Sequence, residues 1–205
     1  LPEDVVASIK SRIEFGLTPS IVVGIIDKDG MHFYSFGTKT VGGEPVVEHS
    51  IYELGSLSKT FTATLLADNI VKGKMKVDDP ISKYLPASVK VPTYKGGGPP
   101  ITLGHLSDHT SSMLRMPTNM PESDPTDPAA DYTPELMYAF LSSYELPREV
   151  GSEYEYSNFA VGVLGQIQAL AAGTSYEEAL TSVITSPLKM KETAITLSPK
   201  MKENL

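Results

Sequence analysis

The stretch Glu53-Leu-Gly-Ser-Leu-Ser-Lys-Thr-Phe-Thr-Ala-Thr-Leu-Leu-Ala67 decides how the rest of the chain is understood. Leu57, Phe61, Leu65, Leu66 and Ile70 recur at helical spacing, and Gly73 is a natural stop. Ser56 and Lys59 stand three apart, so a helix brings both side chains to one face, one turn from each other. A serine hydroxyl is a poor nucleophile until a base takes its proton. A lysine serves as that base only when burial or neighbouring cations disfavour its ammonium form. The apolar neighbours of Lys59 are expected to supply that burial. Leu57, Phe61 and Leu65 are expected to form the core face that holds the pair still. Ser56 is expected at the helix N-terminus, where free N–H groups also suit an oxyanion. The spacing is not unique, because Ser186-Pro-Leu-Lys189 repeats it beside a helix-breaking proline with no other feature of a site.

Working toward the N-terminus, Pro2–Phe15 has Val5, Val6, Ile9 and Ile13 on one face and Gly16 behind it, which predicts a helix. Residues 20–27, S-I-V-V-G-I-I-D, are nearly continuously apolar and β-branched, which predicts a buried strand. Lys28-Asp29-Gly30 signals a turn, and Met31–Phe36 alternates in polarity, so the two runs make a hairpin. Toward the C-terminus the chain turns helical. Short helices are expected at Thr102–Asp108 and Pro134–Ser143. A longer one is expected over Tyr156–Ala171, with Val161, Leu164, Ile167 and Ala171 inward. Another should follow a cap at Thr174 or Ser175. Met116–Pro134 is a long loop rich in Pro and Asp.

Composition narrows the function classes. The 205 residues are 40% hydrophobic and 20% charged, enough for a real core, with 16 Gly and 16 Pro for turns. A net charge of -8 argues against nucleic acid and anionic membranes as partners. The absence of cysteine excludes disulfides, thiolate metal sites and a Cys nucleophile. No apolar run approaches the ~18 residues of a membrane span, so no transmembrane segment is expected. His105 and His109 are four apart but lack the Glu of a zinc-protease helix, and Asp124, Asp127 and Asp131 lack a calcium-loop pattern. No metal and no cofactor is expected.

A wider set of segments carries a resemblance. E-L-G-S-L-S-K-T-F-T at 53–62 is followed by V-D-D-P-I-S-K-Y-L-P at 77–86 and I-T-L-G-H-L-S-D-H-T-S at 101–111. G-S-E-Y-E-Y-S-N at 151–158 and S-P-L-K-M-K-E-T at 186–193 complete it. In that order and spacing the chain resembles the serine β-lactamase and penicillin-binding superfamily, in its class C β-lactamase branch. That branch also holds D-alanyl-D-alanine carboxypeptidases and family VIII esterases. V-P-T-Y-K-G-G-G-P-P-I-T-L at 91–103 most resembles its carboxypeptidase/endopeptidase members.

The resemblance implies an α+β fold, an antiparallel sheet layer with a helical domain. Residues 1–49 would supply a helix and hairpin to the sheet layer, 50–195 the helical domain, and 196–205 a lead-in to further strands. It implies Ser56 as acyl-enzyme nucleophile and Lys59 as the buried base beside it. Tyr156 would be the proton shuttle, and Asn158 would hold the substrate amide. The reaction implied is hydrolysis of a β-lactam or a D-alanyl-D-alanine peptide. The alternatives are a carboxylesterase, or a penicillin-binding sensor without turnover. An exported location, periplasmic or extracellular, is implied too.

The family's third motif, Lys-Thr-Gly or His-x-Gly after the Tyr-x-Asn, has no match here. Lys39-Thr40-Val41, Lys28-Asp29-Gly30 and Lys95-Gly96-Gly97 all lie upstream. The expectation is therefore a front part of a longer protein that lacks the C-terminal strands. A missing C-terminal segment of the same protein would complete it, and the piece alone would be weakly active or inactive. Ser112 and Lys189 stand where members of the family usually carry glycine. The family's L-x-x-H-T-S segment makes His109 structural.

Overall fold

A computed structural model describes residues 1–121, 127 and 129–205. Asp124 and most of the acidic stretch of the Met116–Pro134 loop lie outside the described residues, while Asp127 and Asp131 are exposed. The chain divides into two compact units, Leu1–Leu54 with Glu192–Leu205, and Gly55–Lys191.

In the first unit, α1 spans Glu3–Glu14, with Glu3 and Asp4 in its first turn and Arg12 in its last, each sign favoured by the helix dipole. Strands β1 (Ser20–Asp27) and β2 (Gly30–Gly37) pair antiparallel in unbroken register from Ser20↔Gly37 to Asp27↔Gly30. Gly37 is required at the open end of the ladder. Its φ is +84°, and a Cβ there would stand 2.2 Å from the Pro19 carbonyl oxygen. The segment after β2 is tied to the C-terminal residues. The Ile51 N–H donates to the Asn204 carbonyl at 2.7 Å, and Lys39 Nζ donates to the Glu203 carbonyl at 2.8 Å. The short helix α7 (Pro199–Lys202) is capped by Ser198 and buries Met201.

The strand expected to be buried is not. Only Ser20 of β1 is buried, and Ile26 is 81% exposed. Among the described residues the sheet has two strands, so β1 has β2 on one side and no strand on the other.

The second unit holds the main core. Its elements are α2 (Ser58–Val71), α3 (Leu103–Ser107), α4 (Pro134–Ser143), α5 (Asn158–Ala172) and α6 (Tyr176–Leu180). Helix α5 runs through the middle. Phe159, Ala160, Val163, Leu164 and Ile167 meet Leu66 of α2, Leu103 and Leu106 of α3, and Phe140 and Leu141 of α4. Full burial of each such side chain contributes about 1.5–3 kcal/mol. The one amide buried on α5, Gln168, accepts from Asn69 Nδ2 at 2.6 Å. A smaller cluster of Leu65, Ala179, Leu180 and Ile184 packs α2 against α6 and the π-turn Thr181–Thr185 that follows it.

Three local expectations are corrected. Leu57 is 63% exposed, off the core face, because Gly55–Leu57 is a 3₁₀ turn whose period of three rotates it away from the Phe61–Leu65 row. Ala171 is exposed, because the buried face ends at Ala169 before Gly173 closes the helix with a φ of +66°. Helix α5 starts at Asn158, because the Ser157 hydroxyl accepts the Ala160 N–H as its cap.

Candidate active site

The four residues singled out as a site lie in the second unit. Ser56 occupies the 3₁₀ turn that runs into α2, and Lys59 follows in the first turn of that helix. No side-chain oxygen caps this end of α2. Gly55 carries the left-handed bend at the turn, with a φ of +52°. Lys59 Nζ donates to Ser56 Oγ at 3.3 Å. Its side chain is half-buried rather than enclosed.

The second arm comes from a hundred residues along the chain. The Tyr156 hydroxyl donates to the same Ser56 Oγ at 2.7 Å. Lys59 Nζ lies 4.9 Å from the centre of the Tyr156 ring, and the Arg115 guanidinium 5.3 Å from it. The hydrogen bonds from Lys59 and with Ser56, then the charges of Lys59 and Arg115, hold the Tyr156 phenol below its ordinary value of 10.

Tyr156 sits just outside α5, on the extended segment before Ser157. Ser157 anchors that corner twice. Its hydroxyl donates to the Leu114 carbonyl at 2.6 Å and accepts from the Ala160 N–H at 2.9 Å. The Asn158 N–H donates to the Arg115 carbonyl at 2.9 Å, and its Nδ2 donates to Met116 Sδ at 3.3 Å. A thioether is a weak acceptor, so this amide is readily released to a better partner. Ser56, Lys59 and Tyr156 are thus in mutual contact, and Asn158 stands two residues further on.

Sequence reasoning did not pick out Arg115 or Met116. Both follow the H-T-S segment, and only the fold brings them beside Tyr156 and Asn158. The two histidines weighed as metal ligands are engaged elsewhere. His105 Nδ1 accepts the Thr102 N–H in the cap of α3, and His109 Nδ1 accepts the Ser157 N–H. Among the described residues no group of three or more His, Asp or Glu gathers as metal ligands would. No helix among them is long and apolar enough to cross a membrane.

The family sequence model described as Beta-lactamase matches residues 9–205. The chain belongs to the beta-lactamase family. Among its relatives is the D-alanyl-D-alanine-carboxypeptidase/endopeptidase AmpH of Escherichia coli K12, 35% identical over 178 residues, which are 85% of this chain and 45% of that protein. A beta-lactamase of the same organism is 29% identical over 198 residues, 96% of this chain and 49% of that one. Among solved structures, a beta-lactamase/D-alanine carboxypeptidase from Yersinia pestis superposes with a TM-score of 0.85 at 28% identity, covering 98% of this chain and 57% of that one. A class C beta lactamase from Rhodobacter sphaeroides does so at 0.80 and 28%, covering 99% and 54%. The fold is that of this family, helices with a small antiparallel sheet, and the chain spans about half the length of the curated relatives it matches.

Proposed function

We propose that the whole protein is a serine hydrolase that acylates Ser56 with a β-lactam or a D-alanyl-D-alanine peptide and releases the acyl group to water. The observation that carries this reading is the convergence of Lys59 Nζ and the Tyr156 hydroxyl on one oxygen, Ser56 Oγ, at 3.3 and 2.7 Å. Both are within or near hydrogen-bonding reach of the proton that must leave.

In this mechanism Ser56 Oγ attacks the substrate carbonyl carbon while its proton passes to the Tyr156 phenolate. The two cations beside Tyr156 stabilise that phenolate, and their effect on its acidity has the right sign for the task. The carbonyl oxygen, now carrying charge, is favoured by N–H groups at the start of α2. The carbon–nitrogen bond breaks, and Tyr156 gives its proton to the departing nitrogen. Water then attacks the Ser56 ester and loses a proton to Tyr156. Ser56 Oγ leaves and takes that proton back. Lys59, half-buried and donating to Ser56 Oγ, serves here as the electrostatic partner of both oxygens rather than as the base, and the Asn158 amide turns from Met116 to the substrate amide. Peptide substrates are supported by the 35% identity to a carboxypeptidase/endopeptidase over 85% of the chain. Export from the cytoplasm goes with this reading through the family resemblance.

The test is intact-mass spectrometry of the whole protein incubated with a penicillin, followed over time. A long-lived adduct on Ser56 with cleavage of a D-alanyl-D-alanine peptide indicates a peptidase, one without any cleavage indicates a sensor and overturns the turnover reading, and one that forms and decays indicates a β-lactamase. Absence of any adduct, together with no cleavage of a D-alanyl-D-alanine peptide, overturns the proposal.

A further inference from the structure

We propose that His109 is the positioning residue for Tyr156, and that its neutral form is needed to hold the phenol on Ser56 Oγ. The proposal rests on Tyr156 being the proton carrier.

The backbone on both sides of Tyr156 is gripped by this one histidine. The Glu155 N–H donates to the His109 carbonyl at 2.8 Å, and the Ser157 N–H donates to His109 Nδ1 at 3.1 Å. Between these two bonds the rings of His109 and Tyr156 lie 4.5 Å apart, tilted by 37°. The imidazole also meets the Tyr154 ring in a T-shaped contact, with centroids 5.7 Å apart. Two backbone bonds fix the path of the chain through residue 156, and the ring contact limits how the phenol swings. His109 itself is left-handed, with a φ of +64°. That conformation costs a non-glycine residue about 1–2 kcal/mol, which the bonds of its carbonyl and ring help offset.

The Ser157 bond has one chemical requirement. Nδ1 accepts only when it carries no proton, which places the proton of the neutral ring on Nε2. Protonation turns Nδ1 into a donor that faces another donor, and the grip on Ser157 opens. Several groups face the ring or its neighbour. Lys59 approaches from α2, Asp108 closes α3, Tyr154 and Tyr156 pack on the imidazole, and Arg115 stands over the Tyr156 ring. Burial first, and then the Lys59 ammonium, push His109 below its ordinary value of 6.5, against a smaller opposing pull from Asp108. A lowered histidine contributes stability in full above its unfolded value of about 6.5 and loses it as pH falls through the folded value. The clamp is therefore closed at neutral pH and opens on the acid side.

The experiment uses the whole protein, hydrolysis of a chromogenic β-lactam and of a D-alanyl-D-alanine peptide, and two substitutions. His109→Gly relaxes the left-handed backbone but removes both the acceptor and the ring. It should lower kcat about tenfold or more while KM stays within about twofold. His109→Asn keeps an acceptor for Ser157 and tolerates positive φ. It should recover much of kcat and lose the acid limb that His109 imposes on the wild type. Full kcat in His109→Gly, or an acid side in His109→Asn that falls as steeply as in the wild type, with the Tyr156 and His109 limbs both still present, overturns the proposal. If the wild type hydrolyses neither substrate, the reading of Tyr156 as proton carrier fails separately. The clamp is then decided by NMR of the protein labelled at histidine nitrogen and tyrosine Cζ. An Nε2–H tautomer, with the Tyr156 signal moving at the His109 midpoint, supports it. An Nδ1–H tautomer, or a Tyr156 signal indifferent to that titration, overturns it.

Discussion

The chain carries Ser-x-x-Lys twice, and the two copies fold into different things. At Ser56 the motif enters a helix, so the three-residue spacing brings Lys59 Nζ to 3.3 Å from Ser56 Oγ. At Ser186 it leaves one. Ser186 ends the π-turn, Pro187 follows, and the Lys189 N–H folds back to the Ser186 carbonyl at 3.0 Å. Lys189 takes a φ of +58°, and Leu188 beside it is 67% exposed. Among the described residues no hydrogen bond joins those two side chains, and no tyrosine arrives from elsewhere. Spacing joins a serine to a lysine only where a helix continues through it, and the pair becomes a candidate site only where a third group closes on the same oxygen.

The largest effects should separate the two copies outright. Ser56→Ala is expected to abolish the penicillin adduct in the whole protein by mass spectrometry, and Ser186→Ala to leave it at wild-type level. Survival of the adduct in the first, or its loss in the second, breaks the comparison. Lys59→Ala should slow acylation by roughly 10²–10³-fold in stopped-flow measurements, and Lys189→Ala should leave it unchanged. A smaller effect sharpens the account of the third group. Arg115→Gln removes the weaker of the two cations beside Tyr156, so the phenol's pKa rises and less phenolate is present at neutral pH. The acid-side limb of the pH–rate profile governed by Tyr156 should move to higher pH, and a limb that stays or moves down contradicts it. The smallest effect is on stability. Lys189→Gly should stabilise the fold by about 1 kcal/mol in denaturant unfolding, because glycine accepts the left-handed turn without strain. Ser112→Gly should come out near zero. It relieves a φ of +61° but forfeits the bond from Ser112 Oγ to the Glu149 carbonyl at 3.0 Å.

These two left-handed positions show what the sequence could and could not say. Ser112 and Lys189 were visible as departures from a glycine habit, and the backbone supplies the reason for the habit. The hairpin was legible to within a residue of its ends, because a β-branched run, a Lys-Asp-Gly turn and an alternating run each report on local backbone. Its burial was not, because burial depends on what packs over a strand. The contact of Ser56 with Lys59 followed from helical spacing, whereas Leu57 was misplaced by a short turn of different period. Tyr156 is a hundred residues from Ser56, and no periodicity links them. Family resemblance alone pointed to it. Arg115, and the grip of His109 on either side of Tyr156, belong to tertiary structure. Nothing in L-S-D-H-T-S-S-M-L-R says which strand of chain will lie alongside it.

The β1–β2 ribbon has a consequence for anyone handling this chain. Among the described residues each of its strands has a single neighbour, and Ile26, Met31 and Phe33 stand 81%, 68% and 52% exposed. Such a ribbon is a template, since its outer N–H and C=O groups are offered to any extended chain that drifts past, a second copy included. Both edges of the ribbon are open in this way among the described residues. Association of the chain is therefore expected to grow with concentration and to begin at the hairpin, ahead of any loss of the helical core.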